Sequence, residues 1–338
     1  MSVFSSDGTE NQMRWDRTSD TFMEVWYSTL THEPSGCGVW VRYTITAPAK
    51  GDPYCEVWGF VFDPGLRKSF AGKQRYGIDA LGSFGRDDGA LVRIADSWVS
   101  ENHLEGSVVH AGRQMSWSLG FEPQQRCFQH LPQPIRRRAE RTVSTVCSPN
   151  LMTPFTGTVR VDGDLYEFSG SSGMQSHRWG KKHASTWAWG HCSNFDGGAD
   201  AMFEALAAKA SIGFLPGPTL TFAFLHLEGE DIAFNELRWV RRARSSYTMP
   251  TWAFSAHTDT YKVVGASRAH PERLIQLDYQ DPDGSHRYCA NSEIADLALE
   301  VYRKTRAGWR HHRSLTASGT SHLEFGRKEP FEELAIAF

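Results

Sequence analysis

Long apolar runs are missing from this chain, and no stretch approaches the ~20 residues needed to cross a bilayer. The first residues, Met1-Ser2-Val3-Phe4-Ser5-Ser6-Asp7, have neither the basic start nor the apolar core of a secretory signal. The expectation is a soluble, cytoplasmic protein. No excess of one charge is present either: 36 Lys and Arg stand against 39 Asp and Glu, a formal net charge of -3. That balance gives no broad electrostatic pull toward nucleic acid. Cysteine is sparse and scattered (Cys37, Cys55, Cys127, Cys147, Cys192, Cys289) with no C-x-x-C pair, so a disulfide scaffold is excluded and reduced, half-buried strand positions are expected.

The common catalytic strings are absent as well. There is no G-x-G-x-x-G after a strand, no P-loop, no H-E-x-x-H and no G-x-S-x-G, which leaves nucleotide-dependent and serine-hydrolase chemistry unsupported. The cluster Gly170-Ser171-Ser172-Gly173 fits none of these spacings and reads as a flexible loop. His177, His183 and His191 are close in sequence, yet no Cys or carboxylate completes a familiar ligand spacing. No metal and no cofactor are therefore expected.

What the chain has in abundance is aromatic: 12 Trp, 20 Phe and 10 Tyr in 338 residues. Two domains of ordinary size fit that length, and so many rings point to a ring-lined cavity as well as to cores. Period-two alternation dominates. Residues 39–46 (VWVRYTIT) place Val39, Val41, Tyr43 and Ile45 on one face, and residues 56–62 read as the returning strand of a hairpin closed by Asp63-Pro64-Gly65. Further short strands are predicted at 90–95, 104–111 and 115–121, a spacing suited to a barrel or sandwich.

Between Gln124 and Asn150 the pattern lapses into prolines and the basic run Arg136-Arg137-Arg138-Ala139-Glu140-Arg141, read as a solvated linker face. The domain junction is placed there, giving 1–147 and 148–338. Residues 157–161 and 165–168 then form a hairpin over Asp162-Gly163-Asp164. Residues 187–194 and 201–207 form another over Phe195-Asp196-Gly197-Gly198, whose glycines tolerate positive φ. Strands at 220–227 and 274–279 follow, and residues 292–304 alone carry a helical spacing. The fold class read from this pattern is all-β, with closed or nearly closed antiparallel structures.

The chemistry-bearing candidates gather between Gly173 and Leu206. Alternation puts Trp187, Trp189 and His191 on one side of their strand, and Met202, Glu204 and Leu206 share a face across the turn. With both faces on one cavity, Glu204 would be a carboxyl group among rings. Burial would then raise its pKa and make it a proton donor, with Asp196 a secondary candidate. Trp179, Trp187, Trp189, His191, Met202, Phe203, Phe222 and Phe224 are the candidate binding wall, and its rings could steady a cation through their π faces. Tryptophans on such a wall are also ordinary core, Asp196 suits a turn, and His177 suits the satisfaction of a buried carbonyl.

In its motifs the chain resembles the family of the carotenoid 1,2-hydratases (hydroxyneurosporene synthases) and AttH-like proteins, with tocopherol cyclases and fungal lipocalin-like Diels-Alderases as more distant relatives. The matching residues are His177-Arg178-Trp179-Gly180, Trp187-Ala188-Trp189, Phe195-Asp196-Gly197 and Met202-Phe203-Glu204-Ala205-Leu206, with weaker blocks at Trp40-Val41-Arg42-Tyr43, Val57-Trp58-Gly59-Phe60 and Phe155-Thr156-Gly157. The resemblance implies two tandem lipocalin-like β-barrels and a long apolar ligand. In the enzymes it also implies protonation of an alkene, so that water or an internal nucleophile captures the cation. The family's His-x-Trp falls on His177 and Trp179. Its acidic partner, an aspartate close to a tyrosine, falls where this chain has Phe203 and Glu204, and Ser176 replaces the acidic residue often found before the histidine.

The leading expectation is thus a cofactor-independent hydratase, cyclase or isomerase acting on a terpenoid or polyene-like small molecule, with Glu204 as acid and His177 as relay. The alternative is a non-catalytic carrier of a hydrophobic ligand, and the discriminator is a titratable group in the cavity. No nucleic-acid partner is expected, and the sequence leaves the oligomeric state open.

Overall fold

The computed structural model describes residues 4–5, 8–82, 89–124, 126–212 and 215–338, and the side chains of all of these except 210–212, 215 and 216. The chain is all-β, built on two large antiparallel sheets. The first contains twelve strands and the second ten. Both sheets are formed largely by sequence neighbours: Phe22–His32, Cys37–Ala47, Tyr54–Phe62 and Phe70–Gly77 pair in succession, as do Thr186–Cys192, Ala201–Ile212 and Leu215–Leu227. Of the two barrels expected, the described residues show two large antiparallel sheets, and the strand ladder of neither is traced round to close on itself among those residues. Among those residues no helix is long and apolar enough to cross a membrane.

Each sheet encloses its own apolar core. Trp26, Val41, Tyr43, Trp117 and Phe155 fill the first, and Phe203, Leu225, Trp252, Phe254 and Leu299 fill the second. A third cluster (Trp40, Trp58, Phe60, Met174, Trp187, Trp189) lies where the outer face of one sheet meets the other. This contact explains why Cys37–Ala47 is buried along its whole length, although its sequence reads as one-sided. One face serves the first core, the other the neighbouring sheet. All six cysteines are free thiols and fully buried rather than half-buried.

Several expectations shift. The junction expected at 147/148 falls inside the strand Ser144–Val161, which pairs with Asp164–Gly180 in the first sheet, and the change of sheet comes between Gly180 and Thr186. The signature His177-Arg178-Trp179-Gly180 therefore lies inside the first sheet, between Phe22–His32 and Ser144–Val161, instead of belonging to the second. Gly170-Ser171-Ser172-Gly173 is strand, held by Ser171 opposite Phe155 and Gly173 opposite Leu30. Residues 292–304 are strand too, within His286–Thr305, because neighbouring strands on both sides supply ladder hydrogen bonds that outweigh helical spacing. The basic run is a helix, Gln133–Thr142, with Pro134 in its first turn where the lost N–H is not missed.

Candidate active site between the sheets

The helix Gln133–Thr142 roofs a cavity of about 820 Å³ between the outer faces of the two sheets. Its apolar lining from the second sheet is Trp187, Trp189, Leu206, Ala208, Leu220 and Phe222; the helix adds Ile135 and Ala139. The first sheet adds Val25, Tyr27, Trp40 and Val146. The register explains the aromatic side. Trp187 and Trp189 stand directly opposite Ala208 and Leu206, and His191 opposite Glu204, so the two faces expected to share one side do so. The Asp196–Gly198 turn reverses the chain between them, with Gly197 and Gly198 at φ 75° and 66°.

Glu204 points inward and is 1% exposed, but it is not a protonated acid. His130 donates through Nε2 to its Oε1 at 2.6 Å, and Trp189 donates Nε1–H to the same oxygen at 3.0 Å. Burial opposes the charge, yet the cationic His130 overrides it and holds the carboxyl below its usual pKa. His130 hydrogen-bonds acceptors through both nitrogens, Glu204 and the Val146 carbonyl, and is correspondingly raised against burial. Oε2 of Glu204 has no hydrogen-bond partner. The pair lies behind Trp189, Leu131 and Val146, not on the cavity surface.

The His-x-Trp pair faces away from the cavity. Side chains alternate along Asp164–Gly180, so Arg178, between them, takes the cavity side while His177 and Trp179 take the other. His177 stacks on Trp26 with centroids 4.6 Å apart, donates Nδ1–H to the Glu10 carbonyl at 2.8 Å and Nε2–H to Glu24 at 2.8 Å. Burial works against its charge, but Cys147 and Glu24 push its pKa up to about 9. Trp179 lies against His177 and under the Arg14 guanidinium. Asp196 is an exposed turn residue whose carboxylate accepts from the Ser318 amide and hydroxyl. Phe203 stacks on Phe254 inside the second core, Met202 and Phe224 pack with Phe128 and Leu151, and His191 donates Nε2–H to the Leu151 carbonyl. Of the expected wall, Trp187, Trp189 and Phe222 line the cavity.

Of the titratable groups on the cavity itself, the sequence raised only His183, and that as a metal ligand rather than as an acid–base group. His183 lies between the rings of Trp187 and Tyr279, with centroids 5.3 and 5.0 Å away. Its Nδ1–H donates to Asp281 at 2.6 Å, and its backbone N–H donates to the same oxygen at 3.0 Å. The opposite nitrogen, Nε2, is buried without a partner. Burial, then the nearby Arg178, lowers its pKa to about 3, so the ring is neutral with its lone pair on Nε2. Glu324, among the described residues the one lining carboxylate, accepts Nε1–H of Trp187 at 2.9 Å. Arg42 and Arg178 complete the polar side. Asp281 is 98 residues from His183, too far for sequence spacing to reveal the pair.

Beyond the Glu204 pair the interface stays polar. His191 Nδ1 is 3.4 Å from His322 Nδ1, which also meets the Thr29 hydroxyl at 2.6 Å and Glu293 at 3.7 Å. Burial raises the Glu293 pKa well above the carboxylate range, and neither of its oxygens has a hydrogen-bond partner.

Comparison with known proteins agrees with this architecture. A family model described as tocopherol cyclase-like matches residues 152–327, a span that includes strands of both sheets. The chain is 26% identical to an uncharacterized protein of Mycobacterium tuberculosis over 314 residues, 93% of this chain and 88% of the relative. Among solved structures, kievitone hydratase from Nectria haematococca matches with a TM-score of 0.54 at 9% identity, covering 95% of this chain and 92% of that one. CghA with Sch210972 matches at 0.52 and 10% identity, covering 91% and 88%. At such identities these two likenesses establish the fold.

Proposed function

Since the chain belongs to the tocopherol cyclase-like family, we propose that it is an acid–base enzyme acting as a hydratase, cyclase or isomerase on an apolar, unsaturated small molecule held between its two lipocalin-like halves. The observation that carries this reading is His183 among the aromatic lining of the cavity, its Nδ1–H held by Asp281 and its buried Nε2 left without a hydrogen-bond partner. A carrier needs only shape and apolar surface, and burying an unsatisfied ring nitrogen costs on the order of 1–3 kcal/mol unless a ligand uses it. Kievitone hydratase, which shares the fold, is by its name a hydratase.

In this mechanism Asp281 fixes the tautomer and His183 acts through Nε2. The nitrogen accepts the proton of the attacking oxygen, from water or the ligand's own hydroxyl, and returns it to the neighbouring alkene carbon, so no proton is consumed. Trp187 and Trp189 face the positive charge that develops, each ring contributing about 0.5–2 kcal/mol. Glu204 and His130 act from behind Trp189, the carboxylate holding the indole through its N–H. His177 and Asp196 have structural parts in this scheme.

The test is incubation with a panel of polyprenylated phenols and linear polyenes in D2O, followed by mass spectrometry for a gain of one water, an isobaric product or incorporated deuterium. Wild-type protein is expected to turn over at least one compound, and His183→Gln to lose about 100-fold or more of that rate while still binding it. Unchanged turnover in His183→Gln would remove the imidazole from the mechanism. Binding without turnover across the panel would favour a carrier.

A further inference from the structure

The cavity also carries two cations that the acid–base reading does not use, Arg42 buried and Arg178 half-buried. Arg42 is 5% exposed and lies against the rings of Tyr279 and Trp58, 4.6 and 4.8 Å from their centroids. Its Nε donates to the Thr44 hydroxyl at 3.0 Å. Arg178 donates to the Ser144 hydroxyl at 2.9 and 3.2 Å and, more distantly, to the Lys182 carbonyl at 3.4 Å. Among the described residues neither guanidinium has a carboxylate within ion-pair distance, and neither has any further bond beyond those named here. Of the two carboxylates that bear on Arg178, Asp281 is committed to His183 and lies 3.9 Å from Arg287, and Glu324 accepts from Trp187.

The two arginines belong to one surface. Arg42 stands opposite Tyr27 on Cys37–Ala47, Arg178 stands opposite Val25 on Asp164–Gly180, and the single strand Phe22–His32 separates them. All four side chains line the cavity. Among the described residues the rest of the lining is unevenly charged: Arg138, Lys182, Arg287 and Lys328 against Glu324. Buried charges are ordinarily paired, and a guanidinium in a low-dielectric site without a counter-ion is poised for a carboxylate, which its planar fork matches in two hydrogen bonds. The apolar lining from Trp187 to Phe222 then accommodates the remainder of such a molecule.

We propose that Arg42 and Arg178 form a carboxylate-binding subsite, so that the ligand of this cavity is an amphipathic acid whose apolar body lies along the tryptophan wall. This deepens the proposed function and rests on the cavity being the ligand site.

The probes are cis-parinaric acid, a fluorescent polyenoic fatty acid, and its methyl ester, titrated into the full-length protein. The acid is expected to bind at least tenfold more tightly than the ester. Arg178→Gln and Arg42→Gln should each weaken the acid about tenfold or more and leave the ester within a factor of two or three, the difference expected for loss of a charge-assisted hydrogen-bonded pair. Arg178→Lys, which keeps the charge and loses the fork, should fall between. Melting curves for each variant separate lost binding from lost folding. Equal affinity for acid and ester, or equal weakening of both by the arginine variants, overturns the subsite while leaving the cavity reading intact. Failure of both probes to bind overturns the two together. Leu206→Trp, which fills the cavity from the opposite wall, should weaken acid and ester alike, and binding insensitive to it places the probes elsewhere and refutes the proposal.

Discussion

The imidazole of His130 reaches Oε1 of Glu204 at 2.6 Å with both side chains out of contact with water, and this pair sets the charge on the carboxyl. A lone Glu204 among tryptophans would be protonated; beside His130 it is a carboxylate.

Breaking that pair leaves one charge buried alone. Glu204→Gln and His130→Gln should each destabilise the protein by about 3–5 kcal/mol, and the double variant by clearly less than the sum. The Glu204 pKa is lowered on folding, so its contribution is present above the unfolded value of ~4.3 and fades as pH falls through the folded one. The His130 pKa is raised, so its contribution is full below ~6.5 and fades as pH rises through the folded value. The non-additivity should therefore peak between those limits, at about pH 5.5. Urea unfolding of the four proteins measures it, and strict additivity would refute the coupling.

His183 should remain neutral across the physiological range. Its folded pKa of about 3 lies below the unfolded ~6.5, so its contribution to stability is complete above ~6.5 and is lost as pH falls toward 3. Imidazole Cε1–H shifts followed by NMR should show no midpoint above pH 4 for this residue, and the wild type should lose stability faster than His183→Gln between about pH 6 and pH 4. A midpoint near the free-histidine value would contradict the neutral state assigned to the ring.

The opposite sign applies to His177. With its pKa raised to about 9, the stability it contributes with Glu24 is present below ~6.5 and disappears as pH rises through 9. Glu24 also accepts the backbone N–H groups of Arg14 and Trp15 at 2.6 and 2.9 Å. Glu24→Gln should cost roughly 2–4 kcal/mol at neutral pH, flatten the alkaline fall in stability and expose the segment around Trp15 to protease. Unchanged proteolysis at that segment would show that the carboxylate does not anchor it.

Glu293 is a carboxyl group kept protonated by burial, with Gly38 packed so closely over it that an added Cβ would lie 2.4 Å from Glu293 Cβ. The unfolded chain releases this proton above ~4.3 and the folded chain retains it, so stability declines as pH rises past that value. Glu293→Met should raise the melting temperature, with the gain growing from pH 5 to pH 8 and on the order of 1–3 kcal/mol at the upper end. A gain independent of pH would mean that packing, not ionisation, is responsible.

Gly326 is opposite Trp187, whose ring lies 2.1 Å from where a Cβ would stand. Gly326→Ala should displace that ring, loosen its bond to Glu324, cost about 1–3 kcal/mol and weaken any cavity ligand in parallel. A crystal structure of the variant with Trp187 unmoved would contradict this.

The local periods were readable because they arise from side chains alternating on a strand. Val39, Val41, Tyr43 and Ile45 identify theirs, and the Asp196-Gly197-Gly198 turn fixes the register that sets His191 against Glu204. Ile294, Leu297, Ala298 and Val301 mislead because a strand buried on both faces can mimic helical spacing, and only its neighbours decide. The basic run 136–141 misleads for a related reason: Ile135 and Ala139 form one apolar helical face among arginines, and its importance appears only once two sheets leave a gap to roof.

By itself, then, the sequence determined the all-β character, the hairpins, the signature strand and the aromatic wall of Trp187 and Trp189, all consequences of contacts between near neighbours. The tertiary structure alone decided which side of that strand meets the cavity, making Arg178 and not His177 its face. It decided that His130 ionises Glu204 from 74 residues away, and that Asp281 orients His183 from 98. Protonation follows from burial and from charges a few ångströms distant, and those distances exist only after the two sheets have packed.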